Sequence, residues 1–514
     1  MLRADVTLET PTPLLLPDDA YNRQLLENVR PSGWINPTVS GKYNLVVLGA
    51  GTAGLVSAVG AAALGAKVAI VERQLLGGDC LNFGCVPSKG LLRAARAAHE
   101  SAEANRFGIR CEGGRIHVDF AVAAERMRRI RSRISEHDSA SRLASLGIDV
   151  FLGNARFVGP DAVQVGEQQL TFSKAVIATG ARPAEPPILG LREAGYFTNE
   201  TIFSLTEPPR RLATIGAGPI ACELAQAFRR FGSEVSIVGR GEAVLPREDV
   251  ETTGLIRGVF EREGIRLFLG AQVDRVEREP DGKVLRFNRN GSRGEVRCDQ
   301  ILVAVGRSPN VDGLGLQAAG VAFDPKGVRV DARLRTSNRR IYAAGDICSP
   351  YQFTHVADAM ARVVIQNALF FGRKKASDLV IPWCTYTDPE VAHVGIHEAE
   401  ARERAADVAT YRIDLAEVDR ALLDGETEGF AKIHARKKNG QILGATLVAS
   451  HAGEMISELV LAIGQRLGLR AIVNTIHPYP TQAEALKRAA EAHFRSRLTP
   501  AVQRWLRRYF GWRR

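Results

Sequence analysis

The sequence predicts an α/β protein built around two copies of one βαβ unit. Residues 44–72, NLVVLGAGTAGLVSAVGAAALGAKVAIVE, align without a gap on residues 211–239, RLATIGAGPIACELAQAFRRFGSEVSIVG, at a constant offset of 167. Each copy reads as an apolar strand, a glycine-rich turn, a helix and a second β-branched strand. The 514 residues, 45% apolar and 24% charged, suit a water-soluble chain of roughly three to four domains with a large core.

The glycines say what each unit is for. Gly49 and Gly216 make the tight turn, Gly51 and Gly218 let backbone approach a pyrophosphate, and Gly54 and Ala221 let the helix pack against its strand. The phosphates then lie over a helix N-terminus. Two copies in register predict two Rossmann-like dinucleotide sites. Glu72 ends the first copy, where a carboxylate binds a ribose 2′-hydroxyl, as in FAD. The second copy has Gly239 at that place, followed by Arg240 and, further on, Arg247. Guanidinium in place of carboxylate suits a 2′-phosphate, so the second site is expected to take NADPH rather than NADH.

Between the copies lies LGGDCLNFGCVPSKGL, residues 76–91. Cys80 and Cys85 are close together, whereas the other five cysteines stand singly at 111, 222, 298, 348 and 384. No second pair or histidine spacing completes a zinc set, so no metal site is expected and a redox pair is the sharper reading. Residues five apart on an ideal helix have Cα atoms about 8.6 Å apart, beyond the roughly 6.8 Å a disulfide spans. A bond between them in a first helical turn therefore requires a distorted turn, and Gly84 supplies the backbone freedom.

The net charge of +11 is concentrated at one end. Residues 487–514 carry nine Lys or Arg and one acidic residue, a surplus of eight, leaving three for the rest. That distribution argues against nucleic acid as a partner. The tail interleaves Trp505, Tyr509, Phe510 and Trp512 with arginines, and is expected as a solvated or dimer-packed helix in preference to a membrane-surface one. The N-terminus has neither the basic start nor the apolar run of a secretory signal, so a cytoplasmic location is expected. Residues 45–66 lack charge but hold five glycines in the nucleotide pattern, so no membrane span is needed.

The chain resembles the flavoprotein disulfide reductases, the family of glutathione reductase, dihydrolipoamide dehydrogenase and mercuric reductase. The resemblance rests on GAGTAG, GGDCLNFGCVPSK, VIATGARP (176–183), GAGPIACE, VAVGRSPN (303–310), IYAAGDI (341–347) and HPYPTQAEA (477–485), in the family's order. It implies an N-terminal arm at 1–42, an FAD domain at 43–185 and 311–375 interrupted by an NAD(P) domain at 186–310, an α+β dimerisation domain at 376–497, and the basic amphipathic tail at 498–514. It also implies a homodimer with an active site shared across the interface.

By the same resemblance, electrons pass from NADPH to FAD and on to a Cys80–Cys85 disulfide. Cys85 is then the flavin-proximal thiol, whose thiolate donates charge to the flavin, and Cys80 the outer thiol that attacks the substrate. Lys89 and Glu223 match the family's pair beside the flavin's reactive edge, and Asp346 the acid that holds the ribityl chain. Gly78, Asp79, Ala178, Thr179, Gly180 and Gly345 lie in the matched FAD motifs, and Gly306 in the NADPH motif.

The C-terminal motif departs from most of the family. Where glutathione reductase and dihydrolipoamide dehydrogenase place a catalytic histidine five positions before a glutamate, this chain has Tyr479 before Glu484. A phenol near pKa 10 shuttles protons poorly at neutral pH. His477 is a candidate substitute. Tyrosine there, with GYFTNET around Tyr196 and DRALLDGETEGFAKI at 419–433, resembles mercuric reductase, although the C-terminal cysteine pair of that enzyme has no counterpart in RYFGWRR. The expected oxidant is a metal–thiol complex, a disulfide or a quinone; the alternative enzyme reading is a flavin-direct quinone reductase or transhydrogenase that does not need the thiols. The reading from a different class is a redox-sensing flavoprotein docked on a membrane or partner.

Overall fold

A computed structural model describes residues 15–110, 117–404 and 406–514. Two compact units emerge, Met1–Arg240 with Ala271–Leu379, and Gly241–Gly270 with Val380–Arg514. The offset in the sequence is reproduced by both βαβ copies. Strand Tyr43–Leu48, helix Thr52–Ala63 and strand Val68–Glu72 are matched by strand Arg211–Ile215, helix Pro219–Arg230 and strand Glu234–Gly239.

In the first unit the larger sheet runs Ile148–Leu152, Val68–Glu72, Tyr43–Leu48, Gln168–Ile177, Ala162–Val165, Ala155–Gly159, with Ile341–Ala343 also pairing with Gln168–Ile177. Its nucleotide-binding strands are parallel, with Val46 opposite Ala69 on one side and Ala175 on the other. Strands covered on both faces are near-continuously apolar; Val68–Glu72 is buried throughout, with its one charged residue, Glu72, at the end. The helix Thr354–Leu369 packs on Thr52–Ala63. The stretch expected as an N-terminal arm contributes the helix Ala20–Val29, joined to Phe120–Ser135 by Asp19–Arg128 at 2.5 Å and Asn22–Arg131 at 2.6 Å. In the second copy, Arg211–Ile215 pairs in parallel with Glu234–Gly239 and Gln300–Val303, and a three-stranded antiparallel sheet spans residues 271–298.

The second unit holds a five-stranded antiparallel sheet, ordered Pro382–Thr385, Glu390–Gly395, Ile442–Ala449, Phe430–Arg436, Val408–Asp414. Residues of helices Ala452–Gly464 and Glu484–Ser496 join its apolar core. Among the described residues, no helix is long and apolar enough to cross a membrane.

Candidate active site

Both glycine turns place a carbonyl where a side chain would begin. Gly49 sits at φ +96°, and a Cβ there would lie 2.4 Å from the Ala178 carbonyl oxygen. Gly216 sits at φ +116° and would meet the Ala304 carbonyl at 2.3 Å. A Cβ on Gly54 would fall on the Gly49 carbonyl, and one on Gly78 would come within 2.6 Å of Gly51 Cα. Neither Gly51 nor Gly218 gives its helix a side-chain cap, and Ala221 is fully buried against its strand. Glu72 is buried at the strand end, where its carboxylate accepts the amides of Ala50 and Gln74, both at 2.7 Å. Burial raises its pKa, and the two amides oppose that shift.

The cysteine segment folds as a broken helix. Cys80 lies in the short helix Gly78–Asn82, the chain breaks at Phe83–Gly84, and Cys85 is the first residue of Cys85–Ala102. Asn82 clasps the loop by donating to the carbonyls of Leu76 at 3.0 Å and Gly78 at 2.8 Å. A Cβ at Gly84 would lie 2.9 Å from the Asp79 carboxylate and 3.0 Å from the Asp79 carbonyl oxygen, so the chain passes Asp79 with little room for a side chain. The expected distortion is thus a full interruption, and it leaves Cys85 at the positive end of an 18-residue helix.

The two thiols act on each other, Cys80 favouring the ionised form of Cys85. This interaction, the Thr354 hydroxyl 3.3 Å away and the charge of Lys89 hold Cys85 down to about 6, against burial and Asp79. The same interaction, with burial, pushes Cys80 up. Lys89, one turn along the helix, donates to Glu223 at 2.8 Å and so ties the cysteine helix to the helix of the second nucleotide unit. Glu223 is buried and Lys89 half-buried.

Asp79 lies 3.2 Å from Arg307 and accepts from Asn199 at 2.9 Å. Arg307 Nε is buried with no hydrogen-bond partner, 3.6 Å from Asp346. Burial pushes the Asp346 carboxyl up to about 6. Around this polar pocket wall, Ala178 N donates to Leu48 O at 2.8 Å, Thr179 and Asn310 exchange two hydrogen bonds, and Gly180 O accepts from Asn310 N. Gly345 turns at φ +83° beside Ala53, and Gly306 at φ +121° beside Ala184. The orphaned Arg307 donor, the half-buried Asp346 and the glycine cradle fit a flavin dinucleotide. Arg240 and Arg247 are both exposed.

The C-terminal residues divide into two local arrangements. Tyr479 is 71% exposed and donates its hydroxyl to Asp419 at 3.0 Å, which raises its pKa. Glu484 accepts two bonds from Arg488, which also donates to the Glu417 carbonyl and lies 3.4 Å from Asp419. Glu484 thus reaches the tyrosine through Arg488 and Asp419. His477 is occupied at both ring nitrogens, by Glu458 at 3.2 Å and the Thr475 carbonyl at 3.1 Å, and its side chain is only 6% exposed. It is a poorly placed substitute for the missing histidine.

Four contributors were not singled out from the sequence: Thr354, Arg307, Asn199 and Asp419. Three of them stand inside quoted motifs, VAVGRSPN, GYFTNET and DRALLDGETEGFAKI. Thr354 had a weaker signal, as a hydroxyl residue opening an apolar helix.

The pyridine nucleotide-disulphide oxidoreductase pattern matches residues 43–361, and the dimerisation domain of that family matches 381–490. The chain belongs to this family. It is a flavin-dependent oxidoreductase that uses FAD and a reduced nicotinamide nucleotide, and it carries the family's dimerisation domain. It is 37% identical over 449 residues to a mercuric reductase of Lysinibacillus sphaericus, covering 87% of this chain and 82% of that one. It is 35% identical over 452 residues to a dihydrolipoyl dehydrogenase of Bacillus subtilis, covering 87% and 95%. Among solved structures, the Cu(II) complex of the HOCl-induced flavoprotein disulfide reductase RclA from Escherichia coli superposes with a TM-score of 0.79 at 28% identity, covering 88% of this chain and all of that one.

A second polar cluster went unread in the sequence. Ligand atoms of Glu248, His393 and His397 lie within 4.8 Å of one another. The histidine rings stack 3.8 Å apart at 11°, Trp383 packs against both, and its indole donates to Glu248 at 2.7 Å. His393 is engaged by Thr446 at 2.8 Å and the Gly395 carbonyl at 3.1 Å. With Nε2 donating to the carbonyl and Nδ1 accepting the hydroxyl, the neutral ring has no lone pair left for a metal. Burial accordingly pushes its pKa down to about 3.

Proposed function

We propose that this member of the family passes electrons from NADPH through FAD to the Cys80–Cys85 pair and on to a small thiol-reactive oxidant, in the manner of a mercuric reductase. The observation that carries the reading is the acidic Cys85 thiol at a helix N-terminus, hydrogen-bonded to Thr354 and followed one turn on by the Lys89–Glu223 pair. FAD would be held by the Gly49–Gly51–Gly54 turn, Glu72, Arg307 and Asp346, and would supply the two-electron redox chemistry that links NADPH to the disulfide.

The protein's own groups do the rest. Lys89, held by Glu223, supplies positive charge that favours the Cys85 thiolate. Cys80 passes its proton to the Cys85 thiolate, attacks a disulfide sulfur and expels one thiolate, which takes that proton and leaves Cys85 ionised again. Cys85 then attacks Cys80 sulfur, expels the second and restores the internal disulfide. A mercuric ion presented as a thiol complex is taken over by ligand exchange onto the same two sulfurs. Tyr479, steadied by Asp419, Arg488 and Glu484, offers a hydroxyl where the disulfide reductases have an imidazole. By analogy with the family, it does so over the thiols of the partner subunit, which makes the working form a homodimer. A working dithiol and an NADPH supply suit the cytoplasm.

The test is NADPH oxidation by purified enzyme with mercuric ion in excess thiol, glutathione disulfide, lipoamide and quinones. Cys80→Ser and Cys85→Ser should each abolish thiol-dependent turnover with FAD retained, and full turnover with every oxidant in both variants would overturn the thiol route. Stopped-flow titration separates the flavin-direct reading, since the thiol route takes up four electrons per subunit and the direct route two.

A further inference from the structure

Beyond the dimerisation match, which ends at residue 490, the chain adds the helix Pro500–Trp512, none of whose residues is buried. The helix has its own start signal. Thr499 caps it by accepting from Val502 N at 3.4 Å, and Pro500 occupies the first turn. At 100° per residue, Val502, Trp505, Leu506, Tyr509, Phe510 and Trp512 fall within an arc of about 160°. Arg504, Arg507 and Arg508 lie on the opposite arc. Trp505 is 63% exposed, Phe510 56% and Trp512 83%. The Trp505 and Tyr509 rings stack at 5.8 Å, and Arg513, at the C-terminal end of the apolar arc, folds over Tyr509 and donates to its hydroxyl at 3.2 Å.

We propose that this helix docks the protein on an anionic lipid surface, lying in the plane of the interface. Its aromatic face would enter the headgroup–acyl boundary, and its arginines would stay level with the lipid phosphates. Charge complementarity selects this occupant. Residues 487–514 hold nine of the basic residues against one acid, and the helix itself has no acid. A second copy of the same helix would bring the same positive charge. A helix–helix seam is also a narrow stripe of aliphatic residues, whereas this face is broad and rich in Trp, Tyr and Phe, the side chains that suit a half-wet boundary.

Flotation of the purified holoenzyme with vesicles of phosphatidylcholine alone, or with three-tenths phosphatidylglycerol, tests it. The protein should float with the anionic vesicles at low salt, and weakly or not at all with phosphatidylcholine. The triple variant R504E/R507E/R508E and the double variant W505S/W512S should each weaken anionic-vesicle binding at least about tenfold, as should raising salt to about 0.5 M for the wild type. NADPH oxidation should be unchanged in both variants, showing that the fold is intact. Failure of the wild type to float with anionic vesicles would overturn the proposal, as would flotation by either variant equal to wild type. A W505S/W512S protein that loses oligomeric mass while floating normally would show instead that the helix joins two copies of the chain.

Discussion

Replacing Thr354 by valine removes a hydroxyl 3.3 Å from Cys85 Sγ while nearly preserving shape. In the intact site Cys85 ionises at about 6 instead of the ordinary 9, with Cys80 the largest cause and Thr354 and Lys89 contributing. At pH 7 that makes the thiol about 90% thiolate, against about 1% for an ordinary one. A hydrogen bond to a charged group is worth about 1.5–3 kcal/mol when shielded, and about half that at an exposed site such as Cys85. Thr354→Val should therefore raise the ionisation midpoint by roughly 0.5 to 1 pH unit and lower the thiolate fraction at pH 7 to about 50–75%. Cys80→Ala, which removes the larger contribution, should raise it further, and Thr354→Ser should restore wild-type behaviour. The measurement is the pH dependence of Cys85 alkylation in reduced, flavin-stripped protein, with peptide masses separating Cys85 from Cys80. A wild-type midpoint near 9, or identical midpoints in wild type and Thr354→Val, would refute the reasoning.

Tyr479→Phe should slow oxidation of the reduced enzyme while leaving reduction by NADPH nearly unchanged, and Tyr479→His should raise turnover of small disulfides relative to wild type; half-reactions measured separately decide both. Arg240→Glu should shift kcat/KM toward NADH, and a wild-type enzyme that already prefers NADH would contradict the 2′-phosphate reading. The stability of the second unit should fall in acid. His393 and His434, held down to about 3 and about 4 by burial, stay neutral in the fold, whereas the unfolded chain protonates near 6.5. Their contribution is complete above pH 6.5 and is lost as pH falls toward those values, at up to about 1.4 kcal/mol per pH unit for each group. His397, raised chiefly by Asp249, opposes this trend, since its contribution is present below pH 6.5 and fades as pH rises. Urea unfolding followed at pH 7 and pH 5 should show the drop and a flatter profile in His393→Gln; equal profiles would assign the acid sensitivity elsewhere.

The sequence by itself determined the two nucleotide units, because a strand buried on both faces and a glycine turn under a carbonyl leave local signatures that survive without neighbours. The constant offset of 167 reappears residue for residue in the helix and to within one residue in the first strand. The cysteine pair was legible for a similar reason, since five-residue spacing conflicts with an unbroken helix and the chain resolves the conflict at Gly84. Which groups surround the thiols was not legible. Thr354 is 269 positions from Cys85, and Glu223 is 134 from Lys89, so those contacts exist only after the sheet brings their helices together. The same holds at the C-terminal motif. Spacing paired Tyr479 with Glu484, but helix Glu484–Ser496 points that carboxylate to Arg488, and Asp419, sixty residues upstream, takes the hydroxyl. Periodicity records which face of an element is covered; the identity of the polar partner across a packed interface is set by tertiary geometry alone.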